Sequence, residues 1–199
     1  MKEPLVLFTI NHMLLAAIHV CCQPGNPSAV RVDAMIRSEI QADFASVRSI
    51  HCAAFHDDTE ANLVEALRFN NHLLVSLVAM DGTQRVGHVA FSPVRLDGEV
   101  LSGAGLAPVA VAPSHQGCGF GQTMVRAGLD ACRDIGVPYV VVLGEPAYYQ
   151  RFGFRPATRW QLENEYGAGD EFMAIELVPD SLHGISGLVR FGEEFRDLS

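Results

Sequence analysis

The sequence is nearly devoid of lysine. All but one of its 14 basic residues are arginine, Lys2 being the exception, and 23 acidic residues outnumber them. The resulting net charge of -9 excludes a general nucleic-acid binder, because neutralising phosphates requires a Lys/Arg-rich face. It also leaves no polybasic patch for a membrane surface, so small molecules or basic partners fit better. Cysteine is scarce and unpaired in pattern: Cys21, Cys22, Cys52, Cys118 and Cys132 form no C-x-x-C pair and no Cys/His spacing of the zinc type. That excludes a disulfide framework and points to a reducing cytoplasm. The 8 histidines include no H-E-x-x-H or comparable helical pair, so no metal is specified. With Gly 18 and Pro 10 the chain is too poor in both for low complexity, and its 49% hydrophobic content is too high for a disordered acidic chain.

A long hydrophobic run is nearly present but not quite. Leu5 to Cys22 is interrupted by Asn11, His12 and His19, and Lys2 is offset by Glu3. The stretch is at the short end for a membrane span and lacks a clear A-x-A cleavage site. Residues 1–34 are therefore expected to be an extension outside the fold, with the biological start at or near Met35. An intact Met1 end on the mature cellular protein would refute this. Residues 35–199 are expected to form one domain.

Within that domain, Ala34 to Arg37 reads as a short strand. Phe44, Val47, Ile50, His51, Ala54 and Phe55 recur at helical spacing behind Asp43, an N-cap type. Thr59 is expected to cap a second helix carrying Leu63, Val64 and Leu67, which Asn70-Asn71 ends. An antiparallel meander follows: His72 to Met80, a turn at Asp81-Gly82, Val86 to Val94, a turn at Asp97-Gly98, and Leu106 to Val111. Gly119 to Ile135 is amphipathic and closed by Gly136, and Tyr139 to Leu143 is the apolar run of a strand buried on both faces. A strand, helix and strand in this order make a right-handed parallel crossover. Ala147 to Phe152 is expected to be a short helix, with strands beginning at Phe154 and covering Glu171 to Leu177. The residues after Pro179 either complete the sheet or pair with another subunit, the latter making a homodimer. The fold class is α/β (α+β), with a mixed, mostly antiparallel sheet of roughly six to seven strands flanked by helices.

The chemically informative segment is Leu106-Ala-Pro-Val-Ala-Val-Ala-Pro-Ser-His-Gln-Gly-Cys-Gly-Phe-Gly121, a strand running through a glycine-rich loop into a helix. Without a Cβ at Gly117, Gly119 and Gly121, backbone N–H groups at the helix N-terminus can close on a phosphate, aided by the helix dipole. An isolated loop of this kind can equally serve only as a tight turn. A Walker loop would need lysine before Thr123, where Gln122 stands. A Rossmann fingerprint counted from Gly117 also puts Gln122 in the place of its last glycine.

Gln116-Gly-Cys-Gly119-Phe-Gly121 resembles the Gln/Arg-x-x-Gly-x-Gly/Ala signature of the GNAT superfamily of acetyl-CoA-dependent N-acetyltransferases. The resemblance extends through Met35-Ile-Arg, Val86-Gly-His-Val-Ala-Phe-Ser-Pro93, Pro108-Val-Ala-Val111, Tyr148-Tyr-Gln-Arg-Phe-Gly-Phe154 and Phe172-Met-Ala-Ile-Glu-Leu177. It implies a GNAT-like acyl-CoA N-acyltransferase fold and acetyl transfer to a primary amine, on a small molecule or a protein amino group, by direct attack in a ternary complex. Acetyl-CoA is the implied co-substrate and no metal is involved. Val109, Ala110 and Val111 would pair with the pantetheine arm from a bulged strand, and Gln116, Gly117, Cys118, Gly119, Phe120 and Gly121 would hold the pyrophosphate. Pro108 suits a bulge. Splaying of the strand Tyr139 to Leu143 from its parallel neighbour would open the acetyl cleft, where a backbone N–H could polarise the thioester carbonyl.

The reaction needs a base for the ammonium proton and an acid for the departing thiolate. Tyr149, four residues before Gly153-Phe154, stands where many family members carry the tyrosine thought to be that acid. The family's usual upstream Asn is missing, and Gly144-Glu145-Pro146 directly precedes the tyrosines. Glu145, ending the buried strand, is the candidate base, with Glu99, His88 and His115 as alternatives. Cys118 has no histidine partner by motif and reads as a loop residue. Acceptor contacts are expected from Phe55 to Asn71 and from Arg159 to Asp170. Two other readings keep the cradle: an acyl-CoA-binding sensor or partner subunit without catalysis, and a transferase of a longer acyl group.

Overall fold

The computed structural model describes residues 35–97 and 103–196. The expected extension over residues 1–34, Gly98 of the second turn and the alternative base Glu99 lie outside the described residues. The described strands are β1 (Met35–Ser38), β2 (Val75–Asp81), β3 (Gln84–Leu96), β4 (Gly103–Val111), β5 (Tyr139–Leu143), β6 (Arg155–Pro156), β7 (Leu162–Asn164), β8 (Phe172–Glu176) and β9 (Gly187–Arg190). The helices are α1 (Phe44–Phe55), α2 (Thr59–Phe69), α3 (Phe120–Asp134) and the single turn α4 (Pro146–Tyr149), with several short 3-10 turns.

The strands form one mixed sheet in the order β1-β2-β3-β4-β5-β8-β6, with β9 joining the end of β3 and carrying β7. The main path matches the expected strand count, and β7 and β9 extend it beyond that number. The residues after Pro179 thus contribute a strand to this chain's own sheet. Among the described residues, only the β4–β5 and β7–β9 pairs are parallel. The first turn is a tight hairpin: Asp81 pairs with Gln84, and Gly82 takes the left-handed φ of +56° that the connection requires.

Asp43 does not cap α1 as its sequence position suggests. Its fully buried carboxylate accepts hydrogen bonds from Arg37 of β1 at 2.6 and 2.8 Å, from Arg85 of β3 at 2.8 Å and from the Ile40 N–H at 2.9 Å. The paired guanidinium of Arg37 holds it well below the usual carboxylate range despite burial. Sheet edge, hairpin and helix entrance are tied together at one point. Thr59 likewise begins α2 without capping it; its own N–H is satisfied by Asp57 Oδ1 at 3.0 Å.

The core lies on both faces of the sheet. On one, α3 packs Met124, Val125, Leu129 and Cys132 against Val86, Val89, Phe91 and Val140. The helix approaches closely because Gly128 faces the ring of Phe91, where a Cβ would come within 2.6 Å of Cζ. On the other, α2 buries Leu63 and Leu67 with Tyr139, Val141, Phe172, Leu182 and Val189.

Candidate active site

Two irregularities in the central strands create the site. Along the β3–β4 ladder the register passes from Val89↔Val109 to Phe91↔Leu106, so two steps on β3 span three on β4. The extra residue falls at Ala107-Pro108, whose peptide bond is cis. This is the bulge expected at Pro108, with its backbone turned out of the ladder. Beside it, β4 and β5 pair only through Ala104↔Val140 and Gly105↔Val141, after which no ladder joins them. The strands separate as they approach Val109 and Leu143, opening the expected cleft.

The loop after β4 is shaped as an anion cradle. Gln116 donates its Nε2–H to the carbonyl of Val111 at 3.0 Å, fastening the loop to the strand end. Gly117 and Gly119 take φ of +76° and +92°, which an L side chain adopts only at a cost, and Gly119 is the residue before the first turn of α3. A Cβ on Gly119 would meet nothing within 4 Å, so that space is open. The first N–H groups of α3 have no acceptor within the helix and point at it. Cys118 is exposed in this loop, its thiol donating only to the Gln116 carbonyl at 3.6 Å. The residues present fit a pyrophosphate: open space, unpaired donors, a helix dipole of the right sign and backbone that can approach closely.

Tyr149 is buried, 1% exposed, and its ring is held edge-on by Tyr148 at 5.0 Å and by Phe154 at 5.7 Å between centroids. Burial, with Tyr148 beside it, pushes its hydroxyl well above the usual tyrosine value, so it is neutral and can donate at any ordinary pH. Gly144 makes room for it, since a Cβ there would overlap the Tyr149 ring. Tyr148 reaches the other way, its hydroxyl 3.1 Å from where a Cβ on Gly121 would stand.

A narrow cavity of about 40 Å³ lies where these features meet. Its wall includes Leu106, Ala107, Pro108 and Val109 of the bulge, Leu143 at the end of β5, and Tyr149. The cavity thus brings Tyr149 together with Val109 of the expected cofactor strand. Ala110 and Val111 continue that strand toward the loop. Glu145 is half-buried at the N-cap of α4 and is not among the residues lining the cavity.

The histidine alternatives are engaged elsewhere. His115 pairs with Ser114 Oγ at 2.8 Å and lies edge-on to Phe120. His88 is fully buried between His51 Nε2 and Ser76 Oγ, each at 2.9 Å. Ser76 passes its hydrogen to Glu39, which Arg68 holds from α2 at 2.6 Å. Because Ser76 donates to Glu39, His88 Nε2 must donate to Ser76, and its Nδ1 accepts from His51. Burial keeps both rings neutral, pushing His51 down to about 3.

Two polar groups in the cavity wall were missed in the sequence. Glu60 of α2 is only 4% exposed, and its Oε2 has no hydrogen-bond partner. Burial, with Asp57 beside it, raises its carboxyl to about 7. Tyr166 presents a buried hydroxyl that is also without a partner. Both come from the segments expected to touch the acceptor, and Phe55, Phe191 and Phe195 complete an otherwise apolar wall. The signal for Glu60 was its spacing: with Val64 and Leu67 it occupies i, i+4 and i+7 of the helix, in line with the apolar stripe.

Comparison with known proteins agrees with this geometry. Residues 35–157 match the family model described as an acetyltransferase (GNAT) domain. The chain is 40% identical over 163 residues to the uncharacterized N-acetyltransferase YhbS of Escherichia coli K12, covering 81% of this chain and 98% of that protein. The crystal structure of Escherichia coli YhbS in complex with CoA superposes with a TM-score of 0.80 at 37% identity, covering 88% of this chain and 97% of that one. A GNAT family acetyltransferase from Brucella melitensis in complex with acetyl-CoA gives 0.70 at 35% identity, covering 82% and 99%. The bulged β4, the splayed β5 and the glycine-rich loop between β4 and α3 thus sit in a fold that these acetyltransferases share, and the chain belongs to the GNAT family of acetyltransferases.

Proposed function

We propose that this protein transfers an acetyl group from acetyl-CoA to a primary amine by direct attack in a ternary complex. The observation that carries the reading is the cavity shared by the β4 bulge, the end of β5 and the Tyr149 ring. When bound, acetyl-CoA supplies an acyl group activated as a thioester. Backbone groups of Val109, Ala110 and Val111 hold its pantetheine arm, and the loop Gln116, Gly117, Cys118, Gly119, Phe120 and Gly121 receives its pyrophosphate. The relatives solved with CoA and acetyl-CoA support this assignment. Exposed backbone N–H at the bulge stabilises the negative charge that develops on the carbonyl oxygen. Tyr149, neutral because it is buried, protonates the departing sulfur. Glu145 is the base expected from the sequence, whereas Glu60 is the carboxyl that lines the cavity. We place the reaction in the cytoplasm, a reading supported by a cysteine pattern that offers no C-x-x-C pair.

Thermal unfolding of the full chain with acetyl-CoA, CoA or NAD tests the reading. A ligand at about 100 times its dissociation constant adds roughly 2.7 kcal/mol, or about 5 to 11 °C at this size. Both CoA species should produce that rise and NAD none. In an amine-acceptor assay Tyr149→Phe should lose about 10- to 100-fold in kcat while binding acetyl-CoA as before. No rise with either CoA species from a folded sample refutes the proposal. Binding without turnover on any amine would favour the sensor.

A further inference from the structure

We propose that Glu60 is the residue that receives the acceptor's ammonium group and removes its proton, and that the acceptor is a small primary amine on an uncharged apolar arm. This rests on the acetyltransferase reading above. The cavity beside the bulge holds one carboxyl, and its Oε2 lacks a partner although the residue is only 4% exposed. A buried carboxyl with a free lone pair is costly unless something completes it. An ammonium group would do so, and Phe55, Tyr166, Phe191 and Phe195 line the same cavity with aromatic rings, a setting that favours a cation.

The same wall argues for the rest of the acceptor. Among the described residues, no lysine, arginine or histidine lines the cavity, so a carboxylate beside the amine carbon would meet Glu60 and apolar rings with nothing to pair it. The site therefore accepts an amine and rejects the α-amino acid with the same side chain. The apolar side chains of Leu106, Val109 and Leu143 and the aromatic rings of the same wall suit a hydrocarbon arm.

Glu60 also has a route for the proton. It shares a side-chain hydrogen bond with Asp57, which is exposed. The ammonium N–H bond breaks as an O–H bond forms at Glu60 Oε2, and that proton then leaves to water by way of the exposed Asp57. The freed nitrogen lone pair forms the N–C bond while the C–S bond breaks. The nitrogen's second proton replaces the one that Tyr149 gives to sulfur, so one proton is released in total. The titratable groups facing Glu60 are Asp57 before α2, Tyr149 of α4 and Tyr166 after β7. Both tyrosines stay neutral over the working range.

Two acceptor pairs test this on the wild-type full chain: 3-methylbutylamine against leucine, and 2-phenylethylamine against phenylalanine. Each amine should exceed its amino acid by about 100-fold or more in kcat/KM. Glu60→Gln should lose about 100-fold or more in kcat/KM and lose the acid limb near pH 7. Asp57→Asn, which retains an acceptor for the Thr59 N–H, should move that limb to lower pH. Calorimetry supplies a readout apart from turnover: the CoA-bound wild type should bind 3-methylbutylamine, and CoA-bound Glu60→Gln should bind it at least about tenfold more weakly. Equal use of leucine and 3-methylbutylamine overturns the proposal, as does a Glu60→Gln protein that binds acetyl-CoA and retains full kcat/KM. Failure of the wild type to bind acetyl-CoA instead removes the acetyltransferase reading and this proposal with it.

Discussion

Gly144→Ala places one methyl group where Tyr149 already stands. The new Cβ would overlap Cε2 of the ring and lie 3.0 Å from Cδ2 and 3.3 Å from Cζ. Alanine suits the backbone there, since Gly144 is not among the residues of positive φ, so the whole effect falls on packing. The ring cannot swing away freely, because Tyr148, Phe152 and Phe154 surround it at 5.0, 6.3 and 5.7 Å between centroids. Overpacking of this kind costs about 1 to 3 kcal/mol, which lowers the unfolding midpoint by about 2 to 12 °C at this chain length. A hydroxyl displaced by about 1 Å costs on the order of 100-fold in rate. Steady-state kinetics should therefore show kcat reduced about 10- to 100-fold, and calorimetry an acetyl-CoA affinity close to wild type. In a Tyr149→Phe background the same change should still lower the midpoint but cost little further kcat, because the group it displaces is gone. A Gly144→Ala protein that is destabilised as expected yet retains full kcat would refute an acid role for Tyr149.

Further outcomes follow from other parts of the molecule. Asp43→Ala should destabilise by about 1 to 3 kcal/mol, because it removes the shared partner of the partly exposed Arg37 and Arg85 and leaves the Ile40 N–H unpaired; urea denaturation measures it. Since folding lowers the Asp43 pKa, its contribution is present above the ordinary carboxylate range and lost as pH falls through the depressed value. The gap between wild type and Asp43→Ala should therefore narrow in strong acid. Gly119→Ala meets no atom, so its penalty is the strain of φ +92°, about 1 to 3 kcal/mol, with weaker CoA binding as the loop relaxes; a calorimetric affinity equal to wild type would show that the loop is only a turn. Folding raises the Glu60 carboxyl to about 7, so its stabilising contribution is complete below the ordinary glutamate value and disappears as pH rises through that figure. Glu60→Gln should thus gain thermal stability over wild type on going from pH 6 to pH 8.5, and a constant difference across that range would contradict the raised value.

What could be read from the sequence follows how local each feature is. The proposed cofactor side is contiguous: the bulge, the glycine-rich loop and the helix start all lie between Leu106 and Gly121, so the glycine spacing and Pro108 marked these backbone features together. Strand and helix positions were legible for the same reason, since periodicity and turn residues act over a few positions. Asp43 and Thr59 show where local reading stops. Each is a good cap type, but the Asp43 carboxylate finds two arginines from distant strands and leaves the helix uncapped.

The proposed acceptor side is assembled from residues that only the folded sheet brings together: Phe55 and Glu60 from one part of the sequence, Tyr166, Phe191 and Phe195 from another more than about a hundred positions on. Glu145 looked suitable because strand ends border a cleft. The segment turns at Pro146, however, and gives its place on the cavity wall to Tyr149, whose ring fills the space Gly144 leaves open. Glu60 carried a different kind of signal. A glutamate in register with Val64 and Leu67 is a carboxylate on an apolar stripe, which costs stability once the helix docks. Glutamine would fill the same volume without a charge to desolvate, so fold stability alone does not explain an acid at this position. A charge set where the periodicity calls for a hydrophobe thus marks a position at which stability is exchanged for chemistry, and here that position opens beside the bulge and Tyr149.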